Sequence, residues 1–240
     1  MCVIYLAFQQ TEDHPLLLIA NRDEYYERPS APAAYWADHP DIYAGRDLVS
    51  GGTWLGVNRS GRFAAVTNYR DPSAAKGTRS RGELVANFLK TVVSPENYLE
   101  QIRELGNEYS GFNLLVGGIG ENSELYYYSN RGGEPQQLAP GIYGLSNHLL
   151  DTPWPKVTRG KAAFSDIFWS GNLSDENLFG MLADKTLAAD VDLPQTGIPF
   201  ESEKAISAIF IETAGYGTRC SSLLKFGRDF EWRFEEKVFV

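Results

Sequence analysis

The sequence predicts an α+β protein: antiparallel sheets with helices stacked on them. Three observations point there. β-rich runs bounded by turn residues recur along the whole length, two pairs of segments show helical spacing, and the βαβ alternation of a parallel sheet is missing. There is no internal repeat and no Gly/Ser-rich linker, so residues 1–240 read as a single domain.

Cys2–Phe8 and Leu16–Ala20 form an N-terminal hairpin around Thr11–Pro15, and the polar run Asn21-Arg-Asp-Glu24 ends its second strand. Pro29, Pro32 and Pro40 then break regular structure as far as Asp41. Thr53–Asn58 and Phe63–Tyr69 are apolar strands joined by a turn containing Gly61. Ser80-Arg-Gly-Glu83 matches a capping box, and Leu84, Val85, Phe88, Leu89 and Val92 follow at helical spacing. Ser94 and Pro95 start a second helix, with Tyr98, Leu99, Ile102 and Leu105 on one face and Gly106 as its stop. Phe112–Ile119 and Glu124–Ser129 make another hairpin, and Ile142–Ser146 is a short strand. Helices follow over about 156–169 and 175–187, the latter capped by Ser174. Strands over 205–212, 219–225 and 230–238 close the chain.

The balance of 43% hydrophobic and 22% charged residues is that of a globular protein and excludes low-complexity disorder. A net charge of −9 argues against a nucleic-acid surface, which needs a basic patch. The longest apolar runs, Val3–Phe8 and Leu16–Ala20, fall far short of the ~20 residues that span a bilayer, so no transmembrane segment is expected. No signal-peptide pattern opens the chain, and it reads as cytoplasmic with Cys2 and Cys220 reduced. Cys220 reads as a small buried filler.

Phosphate-loop, zinc-protease and C-x-x-C motifs are absent, and no metal site is expected. His14, His39 and His148 stand isolated in polar loops. A hydrolase can do without histidine when its base is an α-amino group, which titrates near ~7.7–8.0. Removal of Met1 would leave Cys2 with both a nucleophilic thiol and that amine. Asn21-Arg-Asp-Glu24 falls at the same sheet end. There, an Arg would lower a thiol pKa and a carboxylate would hold an ammonium. Asn68 and Asn147 each end a strand, where an amide, or a backbone N–H beside it, suits a tetrahedral oxyanion.

Met1-Cys-Val-Ile-Tyr5, Ala20-Asn-Arg-Asp-Glu-Tyr25 with Arg28-Pro29, and Gly51-Gly-Thr-Trp-Leu-Gly56 resemble the NRDE family, that of the transport and Golgi organisation protein. Thr67-Asn-Tyr69, Gly144-Leu-Ser-Asn147, Asp151-Thr-Pro-Trp-Pro-Lys156 and Tyr216-Gly-Thr-Arg219 extend the match along the whole chain. Through this family the chain looks like the cysteine N-terminal nucleophile hydrolases, such as penicillin V acylase and bile-salt hydrolase. That resemblance implies a four-layer αββα sandwich.

It further implies Cys2 as nucleophile, Arg22 and Arg219 beside the thiolate, and Asp23 or Glu24 at the amine. Asn68 with the Tyr69 N–H, and the Asn147 amide, would supply the oxyanion donors. The adjacency of Arg22 and Asp23 departs from the acylases, which separate the two. The expected function is an amide or acyl C–N hydrolase on a small molecule, needing no cofactor. The family has also been linked to haem trafficking and acyl-lipid metabolism, so the alternative is a non-catalytic binder of haem or acyl lipid in the same cleft. The 13 Tyr, 13 Phe and 5 Trp could line a flat apolar pocket, with His14, His39, His148 or Cys2 as haem ligand.

Overall fold

Burial along the first strand decides the architecture. In β1 (Cys2–Phe8), Ile4, Leu6 and Phe8 share one face, Val3, Tyr5 and Ala7 the other, and all are buried. A strand buried on both faces needs a covering layer on each side. The structure, a computed structural model, describes residues 2–240, so the expected loss of Met1 lies outside the described residues.

β1 pairs antiparallel with β2 (Leu16–Tyr25) and with β10 (Gly141–Leu145), and β2 pairs in turn with β11 (Tyr216–Phe226). With β12 (Trp232–Val238) they make a five-stranded sheet in the order β10-β1-β2-β11-β12. The second sheet runs in chain order through β3 (Ser30–Tyr35), β4 (Ile42–Asp47), β5 (Leu55–Asn58), β6 (Arg62–Asn68), β7 (Phe112–Gly118), β8 (Glu124–Ser129) and β9 (Gln136–Gln137). Every pairing between these strands is antiparallel.

Ile4, Leu6 and Phe8 share a core with Leu55, Val57 and Phe63 of the second sheet, whose far face carries α1 (Arg81–Lys90) and α2 (Pro95–Leu105). Val3, Tyr5 and Ala7 pack instead with Phe164 and Phe168 of α3 (Pro155–Trp169) and with Leu178 and Leu182 of α4 (Asp175–Leu182). The result is the four-layer αββα sandwich. Each fully buried Leu or Phe contributes roughly 1.5–3 kcal/mol. Among the described residues, no helix is long and apolar enough to cross a membrane.

Several elements differ from the sequence reading. β2 does not end at Ala20 but runs on through Asn21-Arg-Asp-Glu24, because β1 pairs with it as far as Arg22 and β11 as far as Tyr25. Asn21 is satisfied inside the layer: its amide donates to the Leu182 and Ile209 carbonyls (2.8 and 2.9 Å) and accepts from the Ser221 hydroxyl at 2.6 Å. Pro32 lies within β3, an edge strand, where a missing N–H costs no ladder bond. The strand β4 was not anticipated.

Residues 205–212 form no named strand. A short helix α5 (Phe200–Ala205) precedes an irregular run whose Ile206, Ala208, Ile209 and Ile211 are buried. The ladder positions beside β2 are already taken, so this apolar run packs without joining a sheet. Ser80 does precede α1, but its side chain makes no cap; the Glu83 carboxylate turns to Arg79 and Tyr109.

Candidate active site

At one end of the two sheets a cleft of about 580 Å³ opens between β1, β2 and β11 on one side and the start of α1 on the other. Register aligns Cys2 with Arg22 and Arg22 with Cys220 across three strands, and all three side chains line the cleft. Strand alternation divides the run Asn21 to Glu24. Arg22 and Glu24 share the Cys2 face, whereas Asn21 and Asp23 turn toward the helical layer.

Asp23 is buried; its carboxylate accepts from the Thr218 hydroxyl at 2.7 Å, and Tyr216 Oη donates to its carbonyl at 3.1 Å. Burial pushes the Asp23 carboxyl up, opposed by the Lys156 ammonium and the Thr218 hydrogen bond. Lys156, at the start of α3, is 1% exposed, and its Nζ donates to the Ile206 carbonyl at 3.3 Å. Burial holds its ammonium down to about 8, with Asp23 opposing.

Cys2 is 6% exposed, and burial raises its thiol above the ordinary range, with the Asp23 carboxylate adding to the rise and Arg22 opposing it. The depressed thiol expected from the neighbouring arginine does not arise: desolvation of the charged form outweighs one nearby guanidinium. Burial therefore favours the protonated sulfur.

Arg219 lines the cleft at a bulge between Thr218 and Cys220, but its guanidinium is committed to main-chain carbonyls. It donates to Tyr25 O at 3.0 Å, to Arg28 O, and to Val240 O at 3.3 and 3.2 Å. It therefore ties down the segment after β2. Arg81, the first residue of α1, and the buried Lys156 also act on the Cys2 sulfur.

The two expected oxyanion donors point elsewhere. The Tyr69 N–H donates to Gly111 O at 2.9 Å, which extends the β6–β7 ladder by one step. Asn147 is fully buried, and its amide donates to Asn68 O at 3.0 Å. Neither residue lines the cleft; the Asn68 side chain does. Asn147 and Ser146 act as a clamp between the sheets, since Ser146 Oγ donates to Cys2 O (3.1 Å) and Thr67 Oγ1 donates to Ser146 O (2.6 Å). Tyr69 Oη and Thr152 Oγ1 hold the two ring nitrogens of His148 at 2.8 and 2.9 Å.

Sequence reasoning missed Arg81, Lys156 and Ser146 as parts of this site. Each lay inside a run already singled out, as Ser80-Arg-Gly-Glu83, Asp151–Lys156 and Gly144–Asn147, but nothing local marks which member lines the cleft, as Arg81 does, or acts on Cys2 and Asp23 from behind it, as Ser146 and Lys156 do. The wall does not fit a histidine-ligated haem. Among the described residues, none of His14, His39 and His148 lines it, and the soft ligands that do are the thiols of Cys2 and Cys220.

The depressed Lys156 ammonium carries a stability signature. Its folded value of about 8 lies below the ordinary 10.5, so between these values the unfolded chain holds the extra proton and stability rises with pH. Relative to Lys156→Met, the wild-type protein is expected to gain about 2 kcal/mol between pH 7.5 and 10. Urea unfolding of both proteins at the two pH values reads this, and parallel changes would show that Lys156 keeps its ordinary affinity for protons.

A family model described as Transport and Golgi organisation 2 matches residues 1–240. The human Transport and Golgi organization protein 2 homolog is 36% identical over 258 residues, covering 100% of this chain and 94% of that protein. The Drosophila melanogaster Transport and Golgi organization protein 2 is 29% identical over 262 residues, covering 100% and 93%. Among solved structures, a Caenorhabditis elegans N-acylethanolamine-hydrolyzing acid amidase ortholog is 12% identical, covering 95% of this chain and 93% of that one, with a TM-score of 0.43. The C2A mutant of conjugated bile acid hydrolase from Clostridium perfringens is 11% identical, covering 100% and 97%, with a TM-score of 0.41. The chain belongs to the Transport and Golgi organisation 2 family.

Proposed function

We propose that this protein is an amide or acyl C–N hydrolase that uses Cys2 as nucleophile once Met1 has been removed. The observation that carries the reading is the juxtaposition in one cleft of the Cys2 thiol, the Arg22 guanidinium and the Asn68 amide. A thiol whose burial favours the proton needs a base, and the α-amine of residue 2 would serve. The amine takes the thiol proton, the sulfur attacks the carbonyl carbon, and the oxyanion accepts from the Asn68 side chain with Arg22 nearby. Cleavage of the C–N bond releases the amine, which takes the proton from the ammonium. Water then hydrolyses the thioester. Asp23 acts from beneath the strand as a buried charge whose own state is set by Lys156 and Thr218.

A reducing, cytoplasmic location belongs to the same reading and is supported by the two free thiols. The engagement of the Tyr69 N–H and the Asn147 amide elsewhere favours a second reading, a binder of acyl lipid or haem that uses this cleft without turnover.

Intact mass spectrometry beside a screen of N-acyl amides separates the two. The hydrolase reading requires a species lacking Met1 that turns over at least one amide; uniform retention of Met1 sinks it. Within that screen, Asn68→Ala is expected to lower turnover roughly a hundred- to a thousand-fold with little change in KM. Loss in KM alone would assign Asn68 to ground-state binding.

A further inference from the structure

The protein is acidic, yet six arginines and four acidic residues line the cleft, and one of the four, Asp23, turns its carboxylate to the opposite face of β2. Four of the six are occupied. Arg28 pairs with Asp47, Arg46 with Asp38, and Arg79 with Glu83 and Glu108, while Arg219 holds main-chain carbonyls. Arg22 and Arg81 form no ion pair within 4 Å among the described residues, although Glu24 acts on Arg81 and Arg22 on Glu236 at longer range. Arg22, nine-tenths buried, faces the cleft and makes no hydrogen bond or ion pair there. Arg81 donates from Nη1 to Gly111 O at 3.1 Å, and its other donors have no acceptor among the described residues.

The first turn of α1 adds to this pair. Ser80, Arg81 and Gly82 line the cleft, and the Ser80 side chain leaves the N-terminus of this ten-residue helix uncapped. The turn is pressed against the strand-entry segment by two glycines, since a methyl on Gly52 would lie 2.4 Å from the Gly82 carbonyl carbon. Of the wall's carboxylates, Glu24 accepts the Tyr25 N–H, Asp23 binds Thr218, Asp47 is paired with Arg28, and Glu236 accepts from the Ala33 N–H. Two cations and a helix N-terminus thus share the cleft with the Cys2 sulfur. A buried charge without a partner is costly, and a bound anion would remove that cost.

We infer that Arg81, with the uncapped turn of α1 and with Arg22, forms a subsite for a carboxylate-sized anionic group on the molecule that meets Cys2. The subsite rests on the proposed function only for the identity of the cleft and needs no turnover. The chemistry selected is therefore an acyl or amide compound that carries an acid close to the reacting carbon, in preference to its neutral counterpart.

Alkylation of Cys2 tests this without any hydrolysis assay, so the two readings fail separately. Iodoacetate is compared with iodoacetamide, and 3-bromopropionate with its amide, by mapping the Cys2 peptide; free cysteine supplies the reference acid-to-amide ratio. At Cys2 at least one acid is expected to be favoured roughly tenfold over that reference, with saturation. Arg81→Gln should return the ratio to the reference value. In the wild-type protein, inorganic phosphate at constant ionic strength should slow the acids and leave the amides unchanged, which keeps the test valid if the variant does not fold. A ratio at Cys2 equal to that of free cysteine, or one unmoved by both Arg81→Gln and phosphate, overturns the subsite.

Discussion

Cys2→Ala is expected to abolish hydrolysis of acyl amides, a loss of roughly a thousand-fold or more in turnover with KM little changed. The thiol forms the covalent bond, and no other side chain in the cleft can replace it from the same position; Cys220 lies two strands away, across Arg22. The fold should survive. Cys2 is small, begins β1 and leaves seven ladder partners in place between β1 and β2, so the lost sulfur should cost about 1 kcal/mol. Activity of the purified variant against any amide hydrolysed by the wild-type protein, with a circular dichroism spectrum as control, reads the result. Undiminished turnover would remove Cys2 from the chemistry.

Glu203→Gln is expected to destabilise the protein by about 3–5 kcal/mol. Glu203, on α5, forms an ion pair with Arg70, and the two side chains are 4% and 7% exposed. The carboxylate also accepts from the Thr196 N–H at 3.2 Å and from its hydroxyl, while the Arg70 guanidinium stacks over Trp154 at 4.7 Å. The neutral amide keeps the shape but removes the Glu203 charge that faces the Arg70 guanidinium in this buried site. The double variant Arg70→Met/Glu203→Leu should recover much of the loss, because no charge then stays buried. Urea midpoints at an unchanged m-value measure both variants. A change below 1 kcal/mol for Glu203→Gln would mean that water reaches the pair.

These residues mark where local reading stopped. Periodicity identified β1, β7, β8, α2 and α3 closely, because their apolar spacing is itself the cause of their burial. It stopped β2 at Ala20, since four consecutive polar residues look like a turn until the partners that satisfy them are known. Asn21 depends on carbonyls at 182 and 209, and Asp23 on the hydroxyl of Thr218. Residues 205–212 are apolar like a strand, but Ala205 ends α5 and the rest meets β11 only at the isolated bridge of Glu212 with Gly217. Glu203 carries no local mark of burial, because its partner Arg70 lies 133 positions away in sequence.

The sequence by itself determined the α+β class, the sheet end at which Cys2 meets the run Asn21 to Glu24, and the family. All three follow from residue type at short spacing, where side-chain chemistry and backbone period act directly. Only the tertiary structure decided what each polar group does there. It turned Arg219 onto carbonyls, used the Tyr69 N–H and the Asn147 amide between the sheets, and brought Arg81 to the cleft in their place. It also raised the Cys2 thiol that a neighbouring arginine alone would have lowered. The physical reason is that hydrogen-bond partners and desolvation are set by which distant segments pack around a group, and strand register and layer packing choose those segments.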